Sequence, residues 1–213
     1  MNMNRRTFNT GLAATALAVA SGMAALPALA QSFDVEEFHK APEIGDKTLG
    51  PADAKVTIVE YASATCPHCA TFHTTTFQEV KKEFIDTGKV RFISREFPLD
   101  DLALAAFMIA RCVPDDKYFP MLDTIYETQK TWAGQNARTE LLKMAKLAGL
   151  SEADFDKCLK DEALAKGILA IREDGAKKYG VDATPTLYIN GKKMEGERDI
   201  EAFRKAIEEA GAS

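Results

Sequence analysis

The chain has no excess of positive charge. Its 213 residues include 27 Lys and Arg against 32 Asp and Glu, which gives a formal net charge of −5 at pH 7. Proteins that bind nucleic acids present a basic face to the phosphate backbone. The acidic balance therefore argues against DNA or RNA as a partner.

Cysteine is scarce as well, and only one pair is closely spaced. Of the four cysteines, Cys66 and Cys69 are separated by two residues. A structural zinc site would need a second pair at similar spacing, which the sequence lacks. The alternatives are that the pair forms half of a zinc site or a purely structural disulfide, but the absence of a second closely spaced pair favours redox chemistry. We expect no metal and no other cofactor.

The close pair belongs to the motif Cys66-Pro67-His68-Cys69, which lies between an apolar strand pattern and a helical pattern. A cysteine at the start of a helix faces unpaired backbone N–H groups and the positive end of the helix dipole, and both favour the thiolate. Cys66 is therefore the predicted nucleophile, and Cys69, one turn later, closes a disulfide onto it. Pro67 suits the first helical position. His68 favours the thiolate further, through its dipole or through its positive charge when protonated.

A single acidic residue, Glu60, lies in the apolar run Val56 to Tyr61 that precedes the motif. This run indicates a strand buried on both faces, where a carboxylate needs a partner or a function. Either Glu60 pairs with a basic group, or it is a buried acid near the thiols. Because burial favours a protonated carboxyl, we assign Glu60 to proton transfer with Cys69. His73, on the inward side of the following helix, is expected to be a packing residue rather than a metal ligand.

The elements around the motif follow the order strand, helix, strand. The helix is predicted to continue to about Asp86, and Lys89 to Phe97 alternates like a second strand. Strand patterns are then missing until the last part of the chain, where Asn190-Gly191 indicates a two-residue hairpin. We predict an α/β fold. Its parts are a first sheet segment at 48–98, an all-helical insertion at 99–179 and a second sheet segment at 180–213.

The first thirty residues have the composition of a cleaved export signal. Arg5 and Arg6 precede an uncharged run rich in Ala and Gly that ends in Ala-Leu-Ala at residues 28–30. The paired arginines suit the twin-arginine route, with the general secretory route and an uncleaved membrane anchor as alternatives. We expect a periplasmic location, where disulfides persist, and a short N-terminal arm at residues 31–47.

Two further cysteines lie in the predicted helical insertion. One predicted helical face carries Leu102, Ala105, Ala106, Ile109 and Cys112, and Cys158 lies on the inward face of another helix. Both cysteines are therefore expected to point into the core of the insertion. In an oxidising compartment we expect them to form a disulfide, and the alternative is two unpaired buried thiols.

Together these parts resemble the DsbA family of periplasmic thiol–disulfide oxidoreductases over about residues 48–213. The resemblance rests on the Cys-Pro-His-Cys motif, on Glu60 six residues before Cys66, and on Gly-Val followed by Thr184-Pro185-Thr186. It implies a thioredoxin fold with an inserted all-helical subdomain. The second cysteine pair is similar to that of family members with a second disulfide.

The resemblance also implies a role for each matched residue. Cys66 would be the sulfur that attacks or is attacked, Cys69 the resolving sulfur, and Pro185 a cis proline that faces the disulfide. Thr184 would offer backbone groups to an extended substrate segment in the manner of strand addition. A stabilised Cys66 thiolate favours the reduced enzyme, which makes the disulfide a strong oxidant.

The expected function is an oxidase that donates its disulfide to reduced exported polypeptides through a mixed disulfide at Cys66. A disulfide isomerase or reductase of the same fold is the first alternative, and a non-catalytic periplasmic chaperone is the second. The resemblance implies a quinone-linked membrane protein of the DsbB type as the partner that restores the disulfide. We expect a monomer, because residues 31–55 have too little apolar periodicity for the dimer interface of an isomerase.

Overall fold

A computed structural model of the protein describes residues 33–211. The predicted export signal, residues 1–30, lies outside the described residues. In the part of the chain that is described, no helix combines the length and the apolar character needed to cross a lipid bilayer.

A five-stranded mixed sheet carries the fold. The strands are β1 Lys47–Leu49, β2 Val56–Ala62, β3 Val90–Glu96, β4 Thr186–Ile189 and β5 Lys192–Lys193. Their order is β1-β3-β2-β4-β5, in which β2 and β3 are parallel and the other neighbours are antiparallel. One face of the sheet packs against an apolar cluster that includes Phe77, and the other against a cluster that includes Phe38. The central strand β2 is therefore buried on both faces, as its apolar run predicts.

The helix that begins at the motif is interrupted near its middle. Helix α2 spans Pro67–Thr74, helix α3 spans Thr76–Val80, and a π-helical turn follows at Lys81–Ile85. Thr75 has non-helical backbone angles, and its hydroxyl donates to the carbonyl of Thr71 at 2.7 Å. Such bonding back to the preceding turn bends helices. The prediction of one continuous helix to about residue 86 is therefore wrong.

The N-terminal arm is folded onto the sheet. Helix α1 spans Val35–His39, and its Phe38 is fully buried. Arg95 of β3 donates to the carboxylate of Asp46 and to the carbonyl oxygen of Lys40. Strand β1, predicted as part of the arm and its turn, instead adds an antiparallel edge strand to β3.

Helices fill the chain between β3 and β4. They are α4 Asp101–Cys112, α5 Tyr118–Glu127, α6 Gln129–Trp132, α7 Ala137–Leu147, α8 Glu152–Cys158 and α9 Glu162–Lys178. These helices enclose an apolar core that includes Phe107. The prediction that Leu102 faces this core is wrong, since the residue is 38% exposed. Ala106 and Ile109 of the predicted face are buried as expected, and Ala103, next to Leu102, takes an inward position in its place.

The last segment of the chain returns to the sheet. The Thr184–Pro185 peptide bond is cis, as the resemblance implies. Asn190 and Gly191 join β4 to β5 with positive φ angles of 47° and 79°, which a two-residue hairpin turn requires. Asp199 caps helix α10, Ile200–Glu209. The predicted hairpin and the predicted α/β fold with a helical insertion are confirmed.

Candidate active site

The Cys-Pro-His-Cys motif lies at the junction of β2 and α2. Cys66 is the N-terminal capping residue of α2, and Pro67 occupies the first helical position. The Cys66 N–H donates to the carbonyl of Ser63 at 3.1 Å in the connecting turn. The sulfur of Cys66 therefore lies near the unpaired N–H groups of the first helical turn.

Cys66 and Cys69 are unbonded thiols that differ in ionisation. Their residues are 6% and 0% exposed. A hydrogen bond from the Cys69 thiol lowers the pKa of Cys66 from about 9 to about 5, against the opposing effect of burial. The Thr184 hydroxyl and the backbone N–H groups of Cys69 and His68 also contribute to this low pKa. Cys66 is therefore the thiol that ionises first.

His68 acts on Cys66 through its backbone. Its N–H is among the donors that lower the pKa of Cys66, whereas His68 itself is exposed to solvent. An effect of the imidazole ring on the thiolate stays a prediction.

Thr184, the residue before the cis Pro185, contacts the Cys66 sulfur. The protonated Cys66 thiol donates to the carbonyl oxygen of Thr184 at 3.2 Å. Once ionised, the sulfur can only accept hydrogen bonds. The Thr184 hydroxyl has no hydrogen-bond partner elsewhere in residues 33–211, so it is available as a donor to the thiolate.

Cys69 is held in the protonated form. Burial raises the pKa of the Cys69 thiol well above its ordinary value, and the neighbouring Cys66 and the charge of Glu60 raise it further. A hydrogen bond from the N–H of Ser63, at 3.5 Å, opposes these effects weakly. The opposite directions of the two pKa shifts suit a nucleophile and a resolving thiol.

Glu60 of β2 pairs with His73 of α2 beneath the motif. Glu60 Oε2 lies 2.8 Å from His73 Nε2, and the two side chains are 0% and 2% exposed. The His73 ring also stacks on Tyr126 of α5, with ring centroids 4.2 Å apart. Glu60 thus pairs with a basic group and its charge also acts on Cys69, while its role in proton transfer stays a prediction. His73 packs in the core as expected, and it also pairs with Glu60, a contact that the sequence analysis did not predict.

Gln129, at the start of α6, is a site residue that the sequence analysis missed. Its side-chain Nε2 donates to the carbonyl oxygens of Ala64 at 2.8 Å and of Cys66 at 2.9 Å. All three residues are buried. The only signal in the sequence is the position of this amide between the inward-facing Ile125 and Trp132. Gln129 thus connects the helical insertion directly to the backbone of the nucleophile.

Replacing Gln129 by Met should lower the free energy of unfolding by about 2 kcal/mol. Met keeps the approximate size of the side chain but leaves the buried carbonyl of Ala64 without its donor. Urea unfolding of the reduced protein measures the loss. The same change at the exposed Gln78, which donates to the carbonyl of His73 at 3.0 Å, is the matched control. A loss no larger than that of the control would contradict the prediction.

A second contact joins the insertion to the loop before Cys66. Thr65 Oγ1 donates to Asp100 Oδ2 at 2.8 Å, and the Leu99 N–H donates to Ser63 Oγ at 3.2 Å. Asp100 also caps the N-terminus of α4. The start of α4, with the exposed Leu99, is therefore fixed beside the motif.

Cys112 and Cys158 form a disulfide between the C-terminal ends of α4 and α8, with Cα atoms 6.2 Å apart. The predicted pairing is confirmed, and the alternative of two unpaired thiols is wrong. Cys158 is part of the insertion's core. The bond therefore cross-links the insertion rather than the motif.

The side chains gathered at the motif offer a defined chemistry. They comprise two thiols of unlike ionisation, a buried carboxylate and a buried imidazole. Within residues 33–211, no group of three His, Cys, Asp or Glu side chains is arranged to hold a metal ion. What the arrangement can do is exchange disulfides and move a proton at Cys69.

Comparisons with known proteins point to the same chemistry. The thioredoxin family model matches residues 43–209. A Rickettsia bellii protein named "Putative protein-disulfide oxidoreductase" is 33% identical over 188 residues, covering 82% of this chain and 72% of that protein. A Bacillus anthracis protein named "Probable disulfide bond formation protein D" is 30% identical and covered over 76% of each chain. The crystal structure of Wolbachia pipientis α-DsbA1 superposes with a TM-score of 0.76 and 30% identity, over 84% of this chain and 96% of that one. The chain spans 60–62% of the length of further Rickettsia relatives.

Proposed function

Because the chain belongs to the DsbA family of thiol–disulfide oxidoreductases, we propose that it oxidises reduced exported polypeptides by donating its Cys66–Cys69 disulfide. The observation that carries this direction is the position of the Cys66 sulfur at the N-terminus of α2 beside Thr184, where its pKa is lowered to about 5. A thiolate that is stabilised in the reduced enzyme lowers the free energy of that form, so the disulfide gains electrons readily.

The proposed reaction passes through a mixed disulfide at Cys66. A substrate thiolate attacks the Cys66 sulfur, the Cys66–Cys69 bond breaks, and Cys69 leaves with the electron pair and takes up a proton. A second substrate thiolate then attacks the substrate sulfur of the mixed disulfide, and Cys66 leaves as a thiolate. The substrate loses two electrons to the enzyme. The low pKa of Cys66 makes it a good leaving group in this second step.

The remaining site residues receive roles in binding and proton transfer. Glu60, whose charge acts on Cys69, exchanges the proton of the resolving thiol. The backbone at Thr184 and Pro185 lies next to the Cys66 sulfur, where an extended substrate segment can pair with it without a particular side-chain sequence. The exposed Leu99 and Leu102 offer apolar contacts at the same edge.

The proposed enzyme acts in the periplasm as a monomer. Export would use the signal at residues 1–30, and a quinone-linked membrane protein of the DsbB type would reoxidise the Cys66–Cys69 pair. The isomerase alternative needs a segment that holds two subunits together. In residues 33–55, however, Phe38 and Asp46 are engaged by the chain's own sheet, which supports the monomer.

The redox potential of the Cys66–Cys69 pair tests the direction of the reaction. Equilibration of the protein with glutathione buffers should give a potential well above the approximately −270 mV of thioredoxin. The matched kinetic test compares the oxidation of a reduced unfolded protein with the refolding of its scrambled form. Faster refolding of the scrambled form, or a stable dimer in solution, would favour the isomerase. A thioredoxin-like potential would favour the reductase.

Trapping tests the mixed disulfide. The Cys69→Ser variant should accumulate a covalent adduct at Cys66 with a substrate peptide supplied as its mixed disulfide with glutathione, because the Cys66 thiolate displaces glutathione as a thiolate and the resolving thiol is missing. Mass spectrometry identifies the linked cysteine. The Cys66→Ser variant, which keeps the buried Cys69, is the control and should form no adduct at comparable rates. An adduct at Cys69 of the Cys66→Ser control that forms as fast as the adduct at Cys66 would overturn the assignment of Cys66 as the nucleophile.

A further inference from the structure

The buried pair of Glu60 and His73 has an unusual distribution of hydrogen bonds. The two side chains meet through Oε2 and Nε2, at 2.8 Å. The other polar atom of each residue, Glu60 Oε1 and His73 Nδ1, is buried and finds no hydrogen-bond partner among the described residues. The pair therefore has one shared contact and two unused polar atoms.

The unpartnered Nδ1 atom determines where the protons of this pair lie. An imidazolium would place an N–H on Nδ1, and so would a neutral ring that accepts from a protonated Glu60. A buried N–H without an acceptor costs about 1–3 kcal/mol, whereas an unpaired acceptor lone pair is tolerated better. The favoured arrangement is a neutral ring with its proton on Nε2, which donates to an ionised Glu60.

We propose that His73 is a positioning residue that keeps Glu60 in the ionised form as the base for Cys69. His73 occupies Oε2 of the carboxylate and leaves Oε1, which bonds to no described side chain, to take up the proton of the Cys69 thiol through an intervening water. This inference rests on the proposed function, since it concerns the step in which Cys69 acts as the resolving thiol. It assigns to His73 a role as a fixed N–H donor, not as a group that itself titrates.

The proton and electrons balance in the reoxidation direction. The Cys66 thiolate first attacks a disulfide oxidant and displaces one of its sulfurs as a thiolate. Cys69 then gives its proton to Glu60, and its sulfur attacks Cys66, so that the second sulfur of the oxidant leaves as a thiolate. Two electrons pass from the two enzyme thiols to the oxidant. Glu60 releases the proton to solvent, and the reverse sequence supplies it when the enzyme oxidises a substrate.

Other ionisable groups lie near Glu60 and His73, and their effects on the reaction have to be distinguished from those of this pair. From α2 these are Cys66 and Cys69, and from α5 they are Tyr126 and Asp123. Burial raises the pKa of Tyr126 well above its ordinary value, so that its phenol stays neutral. Burial also raises the pKa of Asp123, and the nearby His73 opposes this effect. The Asp123→Asn variant therefore serves as a control for a carboxylate near His73 other than Glu60.

The test follows the decay of the mixed disulfide between Cys66 and glutathione after the reduced protein meets oxidised glutathione. Acid quenching and mass spectrometry separate formation of this species, which uses Cys66, from its decay, which uses Cys69. The rates are measured across pH for the wild type and for His73→Phe, His73→Gln, Glu60→Gln and Asp123→Asn. Phe retains a ring to stack on Tyr126 but has no donor. Gln retains an N–H at a position equivalent to Nε2 but does not titrate.

The variants have distinct expected results. His73→Phe should move the pH at which decay is half maximal upward by about one pH unit, so that decay is about tenfold slower below that pH. His73→Gln should restore most of the wild-type profile, and Asp123→Asn should leave it unchanged. Glu60→Gln should slow decay at every pH. Formation rates should stay the same in all variants, which also shows that each one is folded.

Several results would overturn the role of His73. A wild-type decay profile in His73→Phe would mean that His73 only packs, and a His73→Gln profile as altered as that of His73→Phe would mean that the ring itself titrates. As a second readout, infrared spectra of His73→Phe should show a protonated carboxyl band at a pH where the wild type has none, and the band should vanish in His73→Phe combined with Glu60→Gln. If the wild type forms no mixed disulfide at Cys66, the proposed function fails instead.

Discussion

Replacement of Cys112 and Cys158 by alanine is expected to lower the free energy of unfolding by about 4 kcal/mol. The disulfide joins residues 46 positions apart and so closes a long loop in the unfolded chain. In the chain-entropy account, removing this cross-link returns conformational freedom to the unfolded state. The loss is large, because a folded domain is typically stabilised by only about 5–15 kcal/mol in total.

A comparison of single and double replacements separates the cross-link from packing. Cys112→Ala and Cys158→Ala each break the bond, so each should cost nearly as much as the double variant. Urea unfolding of the three variants and the wild type, with Cys66 and Cys69 oxidised throughout, measures these differences. If the single variants lose little unfolding free energy and their losses add up to that of the double variant, the two side chains contribute to stability through packing alone.

The second large effect is a dependence of stability on pH that only the reduced protein shows. The pKa of Cys66 is lowered in the folded state, from about 9 to about 5. A lowered pKa stabilises the folded state above the ordinary pKa, and the stabilisation is lost as the pH falls to the folded value. At pH 7, about two pH units above the folded pKa, the reduced protein should retain about 2 kcal/mol of it.

The measurement is the unfolding free energy of the reduced and oxidised forms at several pH values between about 5 and 8. The difference in unfolding free energy between the reduced and oxidised forms should change by about 2 kcal/mol in favour of the reduced form as the pH rises from 5 to 7. The Cys66–Cys69 cross-link itself contributes equally at each pH and cancels in this comparison. Reduced Cys66→Ser is the control, and it should lack the added pH dependence. Parallel pH profiles for the reduced wild type and Cys66→Ser would contradict the low pKa.

The elements that the sequence predicts correctly depend on contacts within a few residues. Cys66 and Pro67 occupy the start of α2 because capping and the fixed φ of proline act within the first helical turn. Asn190-Gly191 forms the hairpin because both residues accept a positive φ angle. The buried strand β2 follows from a continuous apolar run. In each case the local preference and the tertiary structure agree.

The failures of prediction occur where neighbours distant in the chain decide. The helical pattern after the motif continues through Thr75, yet the helix is interrupted there, where the Thr75 hydroxyl bonds back to Thr71 and the apolar residues on both sides of the break contact the sheet. Leu102 fits an inward helical face, but the insertion packs α4 through its alanines. Helical periodicity gives the width of an apolar face and not its exact direction.

The sequence alone determined the two thiols, their order and the fold around them, because helix starts, turns and buried strands follow from local chemistry. Only the tertiary structure decided what surrounds those thiols. Gln129 reaches the carbonyl of Cys66 across 63 positions, and His73 reaches Glu60 across 13. Buried polar groups must find a partner wherever the fold supplies one, since leaving them unpaired away from water is costly. Which partner they find depends on how the helices pack against the sheet, and no periodic pattern in the sequence predicts that packing.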